Sequence, residues 1–64
     1  MELKVTREKN GVIEYMTAGA GWSPDVIQGK MMAEDIAKAT ARGLHMAALA
    51  DKTLTGKRYK YDAV

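Results

Sequence analysis

The run Leu3-Lys4-Val5-Thr6-Arg7-Glu8-Lys9-Asn10-Gly11-Val12-Ile13-Glu14-Tyr15-Met16-Thr17 decides the fold. Two strand-like segments, 3–8 and 12–17, flank Asn10-Gly11. Both central residues of a type I′ turn need positive φ, which Asn tolerates and Gly adopts freely, so this dipeptide predicts a β-hairpin. A two-residue loop also sets the register: Lys9 faces Val12, Arg7 faces Glu14, Thr6 faces Tyr15 and Val5 faces Met16. One face then carries Leu3, Val5, Val12 and Met16, with Arg7 and Glu14 toward the turn; it is the expected core face. The other carries Thr6, Ile13, Tyr15 and Thr17, a second apolar patch that wants a partner or a returning strand.

Downstream, Ala18-Gly19-Ala20-Gly21-Trp22 reads as a flexible connector. Ser23-Pro24-Asp25 reads as a helix start, with a capping hydroxyl, a proline in the first turn and an acid near the positive end of the dipole. Apolar residues then recur at helical spacing, with Met32, Ile36, Ala39, Gly43, Met46, Ala47 and Ala50 on one stripe. Lys30, Glu34, Lys38, His45 and Lys52 lie opposite it. A helix from Pro24 to Lys52 would be roughly 43 Å long, against ~20 Å for a six-residue strand. Either Arg42-Gly43 breaks it into two, or the overhang packs against another chain. Thr55-Gly56 ends the pattern, and Lys57-Arg58-Tyr59-Lys60-Tyr61-Asp62 alternates basic with aromatic residues as a third strand does. The expected fold is a single small α+β domain over residues 1–64, two layers thick, in the order ββαβ.

Composition narrows function mainly by exclusion. In 64 residues a single core buries about 60% of the surface its unfolded chain exposes, so stability is slight without a staple. The absence of cysteine removes disulfides and thiolate metal sites. Hydrophobic residues make up 47%, yet ten are alanines and phenylalanine is missing, so the core must be thin. The net charge of +2 is too small to make nucleic acid the default partner. No apolar run approaches the ~20 residues of a membrane span, and Met1-Glu2-Leu3-Lys4 lacks the regions of a signal peptide; a cytoplasmic protein is expected, with no membrane contact.

The chain offers little for catalysis. Its one serine, Ser23, has a capping role, and its one histidine, His45, sits on the polar side of the helix, so no nucleophile–base pair is evident. A metal site would have to use Glu34-Asp35, whose side chains diverge around the helix. Glu34 instead precedes Lys38 by four residues, the favourable order for a surface ion pair. Gly19-Ala20-Gly21-Trp22-Ser23 lacks the lysine of a phosphate-binding loop and the third glycine of the dinucleotide fingerprint. The expectation is therefore no enzyme, cofactor or metal.

What is left are surfaces. Ile13, Tyr15, Trp22, Tyr59 and Tyr61 form the expected protein-binding patch, because aromatic side chains bury large area at little rotamer cost. Ala39, Gly43, Met46, Ala47 and Ala50 form the expected seam of a homodimer, where small residues let backbones approach closely. Met31, Met32 and Met46 are expected to fill core gaps. The alternative is a small nucleic-acid-binding regulator using Lys38, Arg42, Lys57, Arg58 and Lys60, with Tyr59 and Tyr61 stacking on bases. The leading expectation is a non-catalytic protein-binding module. In size and make-up the chain resembles the small inhibitors that phages and mobile elements make against host proteins, anti-CRISPR proteins among them. That resemblance is one of type and implies a host defence protein, such as a CRISPR-associated protein, as the partner.

Overall fold

A computed structural model describes residues 1–51 and 59–64. Its main sheet has four antiparallel strands in the order β4-β3-β2-β6, from β2 (Val5–Lys9), β3 (Val12–Met16), β4 (Trp22–Ser23) and β6 (Lys60–Ala63). A two-stranded sheet joins β1 (Glu2–Leu3) to β5 (Met32–Ala33), and α1 (Glu34–Ala50) follows directly. The small α+β class expected from the hairpin, helix and C-terminal strand is the one observed.

Asn10 and Gly11 have φ of 54° and 80°, as a type I′ turn requires. The expected register holds at Lys9↔Val12, Arg7↔Glu14 and Thr6↔Tyr15. Beyond Tyr15 the chain changes partners: the Met16 carbonyl accepts from the Lys30 N–H at 2.8 Å, and Met16 also pairs with Trp22 in β4. The first strand is likewise interrupted. Glu2 and Leu3 pair with β5, while Lys4 turns into a reciprocal pair of backbone bonds with Val64 (2.7 and 2.8 Å) that leads into the β2–β6 ladder.

The segment after the hairpin differs from the sequence expectation in three ways. Ala18-Gly19-Ala20 forms a tight turn, not a flexible connector: Thr17 and Gly21 are hydrogen-bonded, Ala20 is left-handed at φ 63°, and Trp22–Ser23 returns as a strand. Ser23-Pro24-Asp25 does cap a helix, but only one 3-10 turn, Val26–Gln28: the Ser23 hydroxyl accepts from Asp25 N–H and the Asp25 carboxylate from Ile27 N–H. Gly29 stops that turn. A Cβ there would stand 2.9 Å from Lys4 Cδ and 3.0 Å from Tyr15 Cβ, so any side chain at this position would force its neighbours to shift. The α-helix therefore begins ten residues later than Pro24 and, at 17 residues, spans about 25 Å. It runs unbroken through Arg42-Gly43 and ends at Asp51, whose N–H bonds the Ala47 carbonyl. Thr55-Gly56, expected to end the helix, lies outside the described residues.

The sequence pattern expects the Met32, Ile36 and Ala39 stripe to pack on the Leu3, Val5, Val12 and Met16 face, but the helix turns a different side to the sheet. Ala37, Ala41 and Ala48 are buried and Leu44 packs beside them, whereas Ile36, Ala39, Gly43, Met46, Ala47 and Ala50 are exposed. Two constraints choose this face. The first free N–H of α1, on Glu34, donates to the Met1 carbonyl (3.0 Å), and the β1–β5 pairing fixes the helix entry. The sheet presents Val5, Met16, Trp22 and Tyr61, and alanines opposite such bulk let the helix approach closely. Val5 and Ala37, both at 0% exposure, are the centre of the core. Met32 packs against it as expected, but Met31 and Met46 are exposed and do not fill core gaps. Val12, placed on the expected core face, lies beyond the helix and is exposed.

Candidate protein-binding surface

Strand alternation divides the five residues expected to form one binding patch. Arg7 pairs with both Glu14 and Tyr61, and Val5 pairs with Ala63, so Tyr61 and Ala63 lie on the helix-facing side with Val5 and Arg7. Trp22 joins that side opposite Met16. Ile13 and Tyr15 pair with Glu8 and Thr6 and face the opposite side, together with Ser23, Lys60 and Asp62. The structure thus brings Trp22, Tyr59 and Tyr61 together and leaves Ile13 and Tyr15 behind the sheet. Tyr15 is partly covered by the crossing at Gly29, while Ile13 is exposed.

The three grouped aromatics have a partner that the sequence pattern missed. The Arg7 guanidinium lies 4.6 Å from the Trp22 ring centroid and 4.3 Å from that of Tyr59, and its Nε donates to Glu14 at 2.7 Å. Lys9 approaches Tyr59 as well, at 5.5 Å, and the Trp22 and Tyr61 rings are 6.1 Å apart. Arg7 is therefore a clasp that closes the sheet beyond the end of the alanine core. Its cross-strand pairing with Glu14 was legible; its contact with the aromatics needed the position of β6. Trp22 and Tyr61 pack against the core cluster, so their first role is to roof it.

The residues expected to form a dimer seam, Ala39, Gly43, Met46, Ala47 and Ala50, share one outward face of α1 with Ile36. Ile36 is 55% exposed and Met46 59%. A Cβ on Gly43 would meet nothing within 4 Å, so the helix is open to solvent at that position.

Beside this face, between α1 and β6, runs an open cleft of about 400 Å³. Lys38, Ala41, Arg42 and His45 line it from the helix, and Tyr61, Asp62 and Ala63 from the strand. Lys38 forms the expected ion pair with Glu34 at 2.9 Å. Of the residues in the nucleic-acid alternative, Lys38 and Arg42 belong to this cleft, Lys60 pairs with Glu8 and faces the back of the sheet, and Lys57 and Arg58 lie outside the described residues.

Catalytic geometry is not assembled among the described residues. Ser23 lies on β4 and His45 beside β6, at opposite edges of the sheet, and the serine hydroxyl is engaged by a backbone N–H. No group of three or more His, Asp or Glu side chains converges among them, and none of their helices is long and apolar enough to cross a membrane. No protein-family model, curated protein or solved structure matches this chain.

Proposed function

We propose that this chain is a non-catalytic protein-binding module, acting as a small inhibitor does by occupying a surface of another protein. Its working surface is the outward face of α1 with the adjoining α1–β6 cleft. The supporting observation is the orientation of the helix: Ala37, Ala41 and Ala48 are its buried residues, and Ile36 and Met46 are left in solvent on one stripe with Ala39, Gly43, Ala47 and Ala50. A chain whose one large, fully buried side chain among the described residues is Val5 has strong reason to bury larger ones internally. Leaving them outside costs stability that a partner would restore, because exposed contiguous apolar area of this kind marks association sites. The nucleic-acid alternative is weaker, since Lys60 and the pair Lys38–Arg42 address different faces of the protein.

A photo-cross-linking residue placed at Met46, in cells that express the protein, tests this reading. Discrete protein adducts that survive nuclease treatment are expected from position 46 and not from a control at Glu8, which is exposed on the back of the sheet. No adduct at 46, or adducts lost with nuclease, would refute it.

A further inference from the structure

The α1–β6 cleft has two properties that act together: an open strand edge and a basic wall. β6 is the last strand of its sheet, and among the described residues no strand pairs with its outer edge. The direction of its backbone groups follows from the hydrogen-bonding phase. Lys4 and Val64 exchange both backbone bonds, so in an antiparallel ladder Asp62 and Lys60 also point toward β2, and the N–H and C=O groups of the alternate residues Tyr61 and Ala63 point outward. One of these donors is already engaged: the Ala63 N–H bonds the Asp62 carboxylate at 2.8 Å. The other groups form the row that an incoming strand reads.

Above that edge stand Lys38, Arg42 and His45, on successive turns of α1. Arg42 and His45 have no ion pair or side-chain hydrogen bond among the described residues. Along the helix axis Lys38 and Arg42 are about 6 Å apart and Arg42 and His45 about 4.5 Å, against about 6.7 Å between alternate residues of a strand. Alternate side chains of a strand added to β6 would come up on the side of this basic wall.

We propose that the cleft binds an extended acidic segment of a partner protein by adding it as a fifth strand to the edge of β6, with acidic residues on its helix-facing side directed at Arg42 and His45, Lys38 being already paired with Glu34. Main-chain bonds to Tyr61 and Ala63 supply the register, and charge supplies the selectivity. Asp62 guards the edge: its carboxylate occupies one donor and repels an acidic ligand. The inference rests on the protein-binding reading and specifies what one part of that surface takes.

The test uses the full chain and a short fluorescein-labelled peptide alternating Glu with Val or Thr, read by fluorescence anisotropy. Three controls accompany it: the same peptide N-methylated at alternate residues, a composition-matched peptide with its acids in one block, and a single-stranded DNA oligonucleotide. The alternating peptide should bind in the micromolar range. Arg42→Glu with His45→Glu should weaken it about tenfold, and Asp62→Ala should tighten it about threefold by releasing the Ala63 N–H. N-methylation should abolish binding. Equal binding of the methylated or block peptide, an unchanged affinity in the Arg42/His45 variant, or tighter binding of the oligonucleotide would overturn strand addition. Circular dichroism melts of both variants establish that they fold; all three substituted side chains are exposed. If the peptide fails while the protein adduct at position 46 persists, only this inference falls; if both fail, the protein-binding reading falls with it.

Discussion

Replacing Arg7 by Met keeps most of the aliphatic stem and removes the charge that holds three side chains together. Its guanidinium sits at cation–π distance from Trp22 and Tyr59 and is paired with Glu14, at side-chain exposures of 23% and 24% for the pair. Each half-exposed cation–π contact is worth ~0.5–1 kcal/mol and the ion pair about 0.5–1 kcal/mol, which gives a loss of roughly 1.5–3 kcal/mol. A core of this size supplies only ~3–5 kcal/mol, so the variant should lose about half its stability. At ~4–8 °C per kcal/mol, the melting temperature should fall by roughly 6–24 °C. The assay is urea denaturation followed by the emission of Trp22, the single tryptophan, which should also shift to the red in the folded state as its cover is removed. A cycle with Glu14→Gln separates the contributions: Arg7→Met in the Glu14→Gln background should still cost ~1–2 kcal/mol, the aromatic share. A total loss below ~0.5 kcal/mol, with no change in emission, would refute the clasp.

Gly11→Val puts a β-branched residue at φ 80° and should cost ~1–3 kcal/mol by thermal melt; an unchanged melt would remove the type I′ turn. Gly29→Ala, at an ordinary φ, should also cost ~1–3 kcal/mol, because its Cβ collides with Lys4 and Tyr15; full stability would mean that the chain does not cross the sheet so closely. Self-association through the α1 stripe is the remaining proposal. Sedimentation should show a mass that rises with concentration in the native chain and stays monomeric in Gly43→Leu, with no loss of fold, since a Cβ at Gly43 meets open space. A monomer at all concentrations would rule out the seam and leave the stripe to a different protein.

The legible parts of the fold were those governed by local chemistry. Asn10-Gly11 specified a turn with one register, and Glu34–Lys38 specified an ion pair through spacing alone. The basic–aromatic alternation indicated a strand, seen at Lys60–Ala63. What misled was the helix. Ser23-Pro24-Asp25 has the chemistry of any helix start, and nothing local distinguishes a single 3-10 turn from a long helix; the stop at Gly29 depends on Lys4 and Tyr15, distant in sequence. The stripe 37/41/44/48 has the same periodicity as the stripe of Ile36, Ala39, Gly43, Met46, Ala47 and Ala50. The choice between them depends on the size of the facing side chains and on the tether at Met1. For the five residues expected to form one patch, the sequence pattern did not show how they are grouped. Ile13 and Tyr15 were placed on the second face of the hairpin correctly, but the sides taken by Trp22, Tyr59 and Tyr61 follow from β4 and β6 pairing.

The central claim is that the apolar face of α1 serves a partner and not the core. The direct measurement is the double variant Ile36→Lys/Met46→Lys, examined by thermal melt and by cross-linking from a photo-reactive residue at Ala39 on the same stripe. If the claim is right, each surface substitution changes stability by no more than ~0.5 kcal/mol, and the protein adduct formed from Ala39 in the native background disappears. A cooperative loss of the fold, or an adduct that forms as well as before, would contradict it.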